Sequence, residues 1–177
     1  MLNVVNTAAP GLALTVPSVV TLKAEPYLAI ATKGPMPKLP QFAPQKFDEL
    51  HNWMASHDID SGGKAFFRYR RFDNAGNVEL EVGNTTLKKV AANGAVVAGE
   101  LPAGRYASAT YTGPYDRLYD CFLMLNGWLR GRDLTPDASH DGSGETIGCQ
   151  LEVYRVSPAT EPNPNKWSTD LLIRLKD

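Results

Sequence analysis

The sequence predicts an α+β domain in which one strand–helix–strand–strand unit is used twice. The copies are related by a pseudo-two-fold, forming an antiparallel sheet with two helices on one face and a ligand cleft on the other. Three observations predict it. From Tyr27 the chain reads YLAIATKGPM and from Tyr106 it reads YASATYTGPY, each a strand-like run that starts at an aromatic and reaches Gly-Pro. A helical pattern follows both, and Phe47 to Trp53 and Phe122 to Trp128 are each six residues apart. Each helix carries a single apolar stripe, so both belong on one face of a shared sheet.

The elements follow in order. Residues 1–17, rich in Ala, Thr, Asn and Pro, form an N-terminal arm, and 18–177 form one domain with repeat halves at about 18–90 and 95–177. Val19–Lys23 and Tyr27–Lys33 read as strands. Met36–Pro44 holds three prolines and reads as a loop. Pro44 suits the first turn of a helix, where a missing N–H costs nothing. That helix runs to about His57 with Phe47, Leu50 and Met54 along one face. Ala65–Phe72 and Val78–Val82 are strands joined by the turn signal DNAG. Ala95–Leu101 leads into the second half and Arg105–Thr112 continues it as strand. The second helix spans about Tyr115–Gly131, with Leu118, Phe122, Leu125 and Leu129 as its stripe. Asp133–Glu145 is a polar loop, and Ile147–Val156 and Ser168–Leu175 are the last strands. Gly34 to Trp53 spans 19 residues and Gly113 to Trp128 spans 15. The difference falls in the proline-rich loop, where extra residues cost little.

Composition excludes several classes. The chain has 177 residues, 43% hydrophobic and 21% charged, with a net charge of −1 and a pI of about 6.3. Such a chain buries a core without staples, and it has no basic field for nucleic acid. The apolar run PGLALTVPSVV is short, broken by Pro10 and Pro17, and lacks a basic leader. Nothing approaches the roughly 18–20 apolar residues of a membrane span. Cys121 and Cys149 read as reduced, buried small hydrophobes. The expected location is cytoplasmic. His51, His57 and His140 have no ligand spacing, and HDIDSGG and DASHDGSGE lack the order of a calcium loop, so no metal is expected. No phosphate loop, dinucleotide fingerprint or nucleophile elbow occurs, and no cofactor is expected.

Strand alternation proposes a site. In CQLEVYRV, Cys149, Leu151 and Val153 would lie under the helices, and Gln150, Glu152 and Tyr154 would point to the open face. Val78, Leu80 and Val82 would go inward, and Glu79 and Glu81 outward. With Tyr69 as the repeat twin of Tyr154, Phe67 matches Glu152. The face away from the helices would then gather Phe67, Tyr69, Glu152 and Tyr154. Tyr27 and Tyr106 would stand nearby, and Trp167 would flank the last strand. Rings around one carboxylate suit a lipophilic or cationic ligand. Apolar surroundings also raise a carboxyl's pKa, which makes Glu152 a candidate acid–base group.

At these residues the chain resembles the GyrI-like small-molecule-binding domains, the effector-binding domains of AraC- and MerR-type bacterial regulators. The resemblance rests on LPAGRYASATYTGPYDRLYDCFLMLNGWL (Leu101–Leu129), LEVYRV (Leu151–Val156) and STDLLIRL (Ser168–Leu175). The first half matches more loosely through YLAIATKGPM, and coverage is roughly residues 18 to 176. It implies a cleft between the halves, Glu152 as the central Glu and Tyr154 as the Tyr two residues on. In multidrug-sensing members that Glu faces lipophilic cations. Some stand-alone members look like hydrolases of cyclopropane-containing toxic compounds, and the namesake inhibits DNA gyrase. The combination of Phe67, Arg68 and Tyr69 is not one the family fixes. Only about 17 residues precede the fold and no helix-turn-helix pattern appears, so direct nucleic-acid binding is not expected.

The first expectation is therefore a stand-alone protein that binds a small lipophilic or cationic molecule for sensing or sequestration. Glu152 would be the counter-charge, walled by Tyr154, Tyr69, Phe67, Tyr106, Tyr27 and Trp167. The alternative is a hydrolase of strained or electrophilic molecules, with Glu152 and Tyr154 as catalytic groups. A further alternative is a protein partner, either a regulator or gyrase.

Overall fold

A computed structural model describes residues 13–177, and the expected arm over residues 1–12 lies outside the described residues. The chain runs β1 (Ala13–Leu14), β2 (Ser18–Leu22), β3 (Glu25–Pro35), a 3₁₀ turn at Met36–Lys38, α1 (Leu39–Phe42) and α2 (Gln45–Ser56). It continues with β4 (Ser61–Asp73), β5 (Asn77–Thr86), β6 (Val96–Leu101), β7 (Gly104–Thr112), a 3₁₀ turn at Tyr115–Arg117 and α3 (Leu118–Arg130). It ends with β8 (Ala138–Asp141), β9 (Gly144–Val156), a 3₁₀ turn at Pro164–Lys166 and β10 (Ser168–Arg174). The strands form one ten-stranded antiparallel sheet in the order β1-β7-β10-β9-β4-β5-β3-β6, with β2 also on β7 and β8 on β9.

The α+β class and the duplication are as the sequence predicts, and the register shows the repeat residue by residue. Tyr27 lies opposite Thr85, and its twin Tyr106 lies opposite Arg174. Phe67 lies opposite Val82, and its twin Glu152 lies opposite Leu171. The two central strands pair with Phe67 directly across from Glu152, so the pseudo-two-fold passes between those two residues. The lead-in strands are exchanged: β2 of the first half pairs with β7, and β6 of the second half pairs with β3.

Both long helices use the stripes read from the sequence. Leu50 and Met54 of α2 are buried against Leu28 and Ile30. Leu118, Cys121, Phe122, Leu125 and Leu129 of α3 are buried in the largest core cluster. Burial of each large side chain contributes about 1.5–3 kcal/mol.

Two elements lie in expected loops. The proline-rich loop contains α1, which has a proline in its first turn. The polar loop 133–145 contains β8, which makes a hairpin with β9. Arg71 ties that hairpin down by donating to Asp141, Ser143 and Thr146. No helix among the described residues is long and apolar enough to cross a membrane.

One placement differs from the expectation. Phe67, Tyr69 and Tyr154 belong to the cluster that α3 packs on, so the Glu152 face is the helix face. The reverse face is not an open cleft. Cys149, Leu151 and Val153 are buried there with Tyr27, Ala29, Phe66, Leu101, Tyr106 and Leu172, and Val20 and Leu22 of β2 pack against them. Directly opposed residues share a face. Phe67 pairs with Val82, which the sequence places inward, so Phe67 and Glu152 must be inward too. Both faces are apolar at this point, and alternation alone does not say which one the helices take.

Candidate functional site

The site grows from the central strand pair. Glu152 is only 5% exposed. Its Oε1 accepts a hydrogen bond from the Tyr69 hydroxyl at 2.7 Å, and its Oε2 accepts one from the Tyr154 hydroxyl at 2.7 Å. The two donors are repeat twins, so the carboxylate is held from both sides of the pseudo-two-fold. Burial pushes the Glu152 carboxyl above the usual carboxylate range, and the two tyrosine bonds pull against that shift. Burial and the adjacent carboxylate push both phenols well above their ordinary values, so they remain donors. Among the described residues no cationic side chain forms an ion pair with Glu152.

Rings crowd the Tyr154 side. Phe47 of α2 stacks on Phe67 at 5.5 Å and 9°, and it meets Tyr154 edge-on at 5.9 Å. Tyr115 lies 5.3 Å from Tyr154 and 4.6 Å from Trp167. Burial, with Glu152 nearby, pushes the Tyr115 phenol up to about 12. On the other side, Phe122 of α3 meets Tyr69 edge-on at 6.1 Å and 79°.

A recess of about 380 Å³ opens on that other side. Tyr69, Gln150, Glu152 and Ile173 form its sheet floor, and Tyr119, Phe122, Leu123 and Asn126 of α3 form one wall. Met36 and Phe72 contribute from the first half. Tyr119 and Leu123 reach the rim, 61% and 54% exposed. Among the described residues no Lys, Arg or His lines it. Of its other carboxylates, Asp137 is matched by Arg174 at 2.5 Å, and Glu145 lies 3.3 Å from His140. Glu152 is thus a buried carboxylate without an ion-pair partner among the described residues, in a mostly apolar recess.

The expected residues divide. Glu152, Tyr154, Tyr69 and Phe67 stand together. Trp167 joins them only through Tyr115, and its indole N–H donates to the Glu161 carbonyl at 2.8 Å. Tyr27 and Tyr106 do not join them, because their positions put them on the reverse face. The Tyr27 hydroxyl donates to Glu81 and accepts from Arg68, both at 2.7 Å, and the Tyr106 hydroxyl donates to the Pro102 carbonyl at 2.6 Å. Phe47, Phe122 and Tyr115 were read from the sequence only as helix residues. Their repeat alignment with one another and with Met36 is the signal that points to them.

Comparison with known proteins places this fold. Residues 15–176 match the GyrI-like family, described as a GyrI-like small molecule binding domain, and the chain belongs to that family. No curated protein matches the sequence. Among solved structures, the chain is similar to EcmrR in its DNA complex, with a TM-score of 0.72 and 14% identity over 93% of this chain. It spans 58% of that EcmrR chain. The separate EcmrR C-terminal domain aligns over 92% of this chain and 98% of its own, with a TM-score of 0.61 and 12% identity. SAV2435 bound to tetraphenylphosphonium aligns over 92% of this chain and 94% of its own, at 10% identity and a TM-score of 0.57. A hydrolase from Listeria innocua aligns over 90% of this chain and 91% of its own, at 12% identity and a TM-score of 0.59.

Proposed function

We propose that this chain binds a lipophilic cation in the recess beside Glu152, as a sensing or sequestering module. One observation carries the reading. Glu152 is 5% exposed and, among the described residues, is bonded only by two tyrosine hydroxyls and lines a mostly apolar recess with no basic side chain. An unpaired buried carboxylate is costly. A cation that brings little hydration with it relieves that cost, and apolar walls bury the rest of the ligand. SAV2435, a structural neighbour, is bound to such a cation.

The test is calorimetric titration with tetraphenylphosphonium and with neutral triphenylphosphine oxide, on the wild type and on Glu152→Gln. Gln keeps the shape and removes the charge. Cation affinity falls at least tenfold in the variant, about 1.4 kcal/mol or more, and the neutral compound is unaffected. Equal cation binding by both proteins rejects the reading.

The hydrolase alternative draws on the same raised carboxyl beside phenolic donors. Incubation with a cyclopropane-bearing electrophile separates the two by mass. A ligand recovered unchanged fits binding, and one that gains the mass of water fits hydrolysis.

A further inference from the structure

We infer that the outer face of α3 pairs with the same face of a second copy of this chain, the two helices running antiparallel about a two-fold axis at Leu123. The inference goes beyond the binding reading and stands without it.

The duplication supplies an internal comparison. Phe47 and Phe122 hold matching places on α2 and α3, so Asp48 and Glu49 match Leu123 and Met124. On α2 both positions are exposed and acidic, as a helix face in water requires. On α3 the same two positions carry apolar side chains, 54% and 51% exposed, and Tyr119, one turn earlier, is 61% exposed. Single apolar residues scattered on a surface need no explanation, but three on one face of one helix form a patch. The recess accounts for Tyr119 and Leu123, which rim it, and not for Met124, which does not line it.

Gly127 stands on the same face. It is exposed, and a Cβ added there would meet nothing within 4 Å among the described residues. A glycine inside a helix costs about 1 kcal/mol relative to alanine. Nothing within the chain offsets that cost, whereas a second helix in close approach uses the room.

The order of residues along the face selects the occupant. Leu123 is the midpoint. Tyr119 and Gly127 lie four residues to either side of it, and Asp116 and Arg130 lie seven to either side. Asp116 sits in the 3₁₀ turn that leads into α3, and Arg130 is the last residue of the helix. Steps of four and seven keep side chains on one helix face. A two-fold axis at Leu123 therefore sets Tyr119 over the partner's Gly127 and Asp116 against the partner's Arg130, and repeats both contacts by symmetry. Large meets small and negative meets positive. Neither Asp116 nor Arg130 forms an ion pair within the chain among the described residues. A stripe that complements its own reversal is what an isologous contact needs. A parallel pair would instead set like charges together at both ends.

The test is sedimentation equilibrium of the full chain at low salt. One helix pair is a small interface, so association falls in the micromolar range, and loading runs from about 5 to about 500 µM. The wild-type mass rises from 19.3 kDa towards twice that value. Arg130→Asp sets two carboxylates face to face at each end and weakens association at least tenfold, and Asp116→Arg does the same with two cations. The double variant Asp116→Arg with Arg130→Asp restores association to within about threefold of the wild type. Each change opposes the dipole of α3, so an effect confined to one chain would be worst in the double variant. Recovery belongs only to the antiparallel pair. Gly127→Gln fills the space under the partner's Tyr119 and also weakens association at least tenfold.

A wild type that stays at 19.3 kDa across the range overturns the inference and leaves the face to a different occupant. A double variant that associates no better than the single ones overturns it too. If a charge-swapped variant fails to fold, Gly127→Gln decides, and undiminished association there refutes the pairing at Leu123.

Discussion

Tyr154→Phe removes the hydroxyl that donates to Glu152 Oε2 at 2.7 Å and keeps the ring that packs on Phe47, Phe67 and Tyr115. A hydrogen bond to an ionised group contributes about 1.5–3 kcal/mol, and one to a neutral group about 0.5–1.5 kcal/mol. The variant therefore loses about 2 kcal/mol where Glu152 is ionised and about 1 kcal/mol where it is protonated. The difference, about 1 kcal/mol, raises the already elevated Glu152 pKa further. The sign follows from that elevation. A carboxyl whose folded pKa lies above its unfolded one contributes stability that is fully present below the unfolded value and is lost as pH rises through the folded one. In the variant the loss is deeper and extends to higher pH. Urea unfolding of both proteins at several pH values, from below the carboxylate range to neutrality, reads the effect as a gap that widens by about 1 kcal/mol. A gap that stays constant across the series would show that the hydroxyl does not serve the ionised carboxylate. Tyr69→Phe removes the equivalent bond to Oε1 and predicts the same profile.

Two predictions concern the reverse face. Arg68 is 7% exposed, bonds the Tyr27 hydroxyl and stands 3.8 Å from Glu81. Arg68→Ala leaves Glu81 without its cation and costs about 3 kcal/mol in urea unfolding, and adding Glu81→Gln recovers part of the loss. At Gly83 an added Cβ would lie 2.4 Å from the Phe66 ring. Gly83→Ala therefore costs about 1–3 kcal/mol through overpacking. A second change, Phe66→Leu, restores some of the lost melting temperature, whereas no restoration would place the strain elsewhere.

The class, the repeat and nearly every strand were legible because each rests on a local pattern. Phe47-to-Trp53 and Phe122-to-Trp128 mark twin helices, and Gly-Pro marks twin strand ends. The helix stripes were equally plain, since Leu50, Met54, Leu118, Leu125 and Leu129 are all buried. The company of Glu152 was half legible. Twinning Tyr69 with Tyr154 found the two donors, but choosing a face needed the cross-strand register. Cys149, Leu151 and Val153 looked like the residues under a helix because they are as apolar as residues that are. In fact they pack on Phe66, Tyr27 and Tyr106, across strands distant in sequence. The ring that stacks on Phe67 comes from a helix, and strand alternation carries no information about that. The β8 hairpin was missed because three of its four residues are polar and the strand is held by pairing with β9 and by Arg71.

The exchanged lead-in strands have a consequence for synthesis. While the first half leaves the ribosome, β3 lacks its outer neighbour, because β6 belongs to the half not yet made. For the same reason β2 has nothing to lie on until β7 appears. The nascent chain therefore carries bare sheet margins on β3 and on β4, and an unattached β2, until β6, β7 and β9 emerge in turn. Such margins are where chains stick to one another. The gaps close one after another as those strands are made, so a message truncated before β6 would release a polypeptide with open flanks that nothing in its own length can cover.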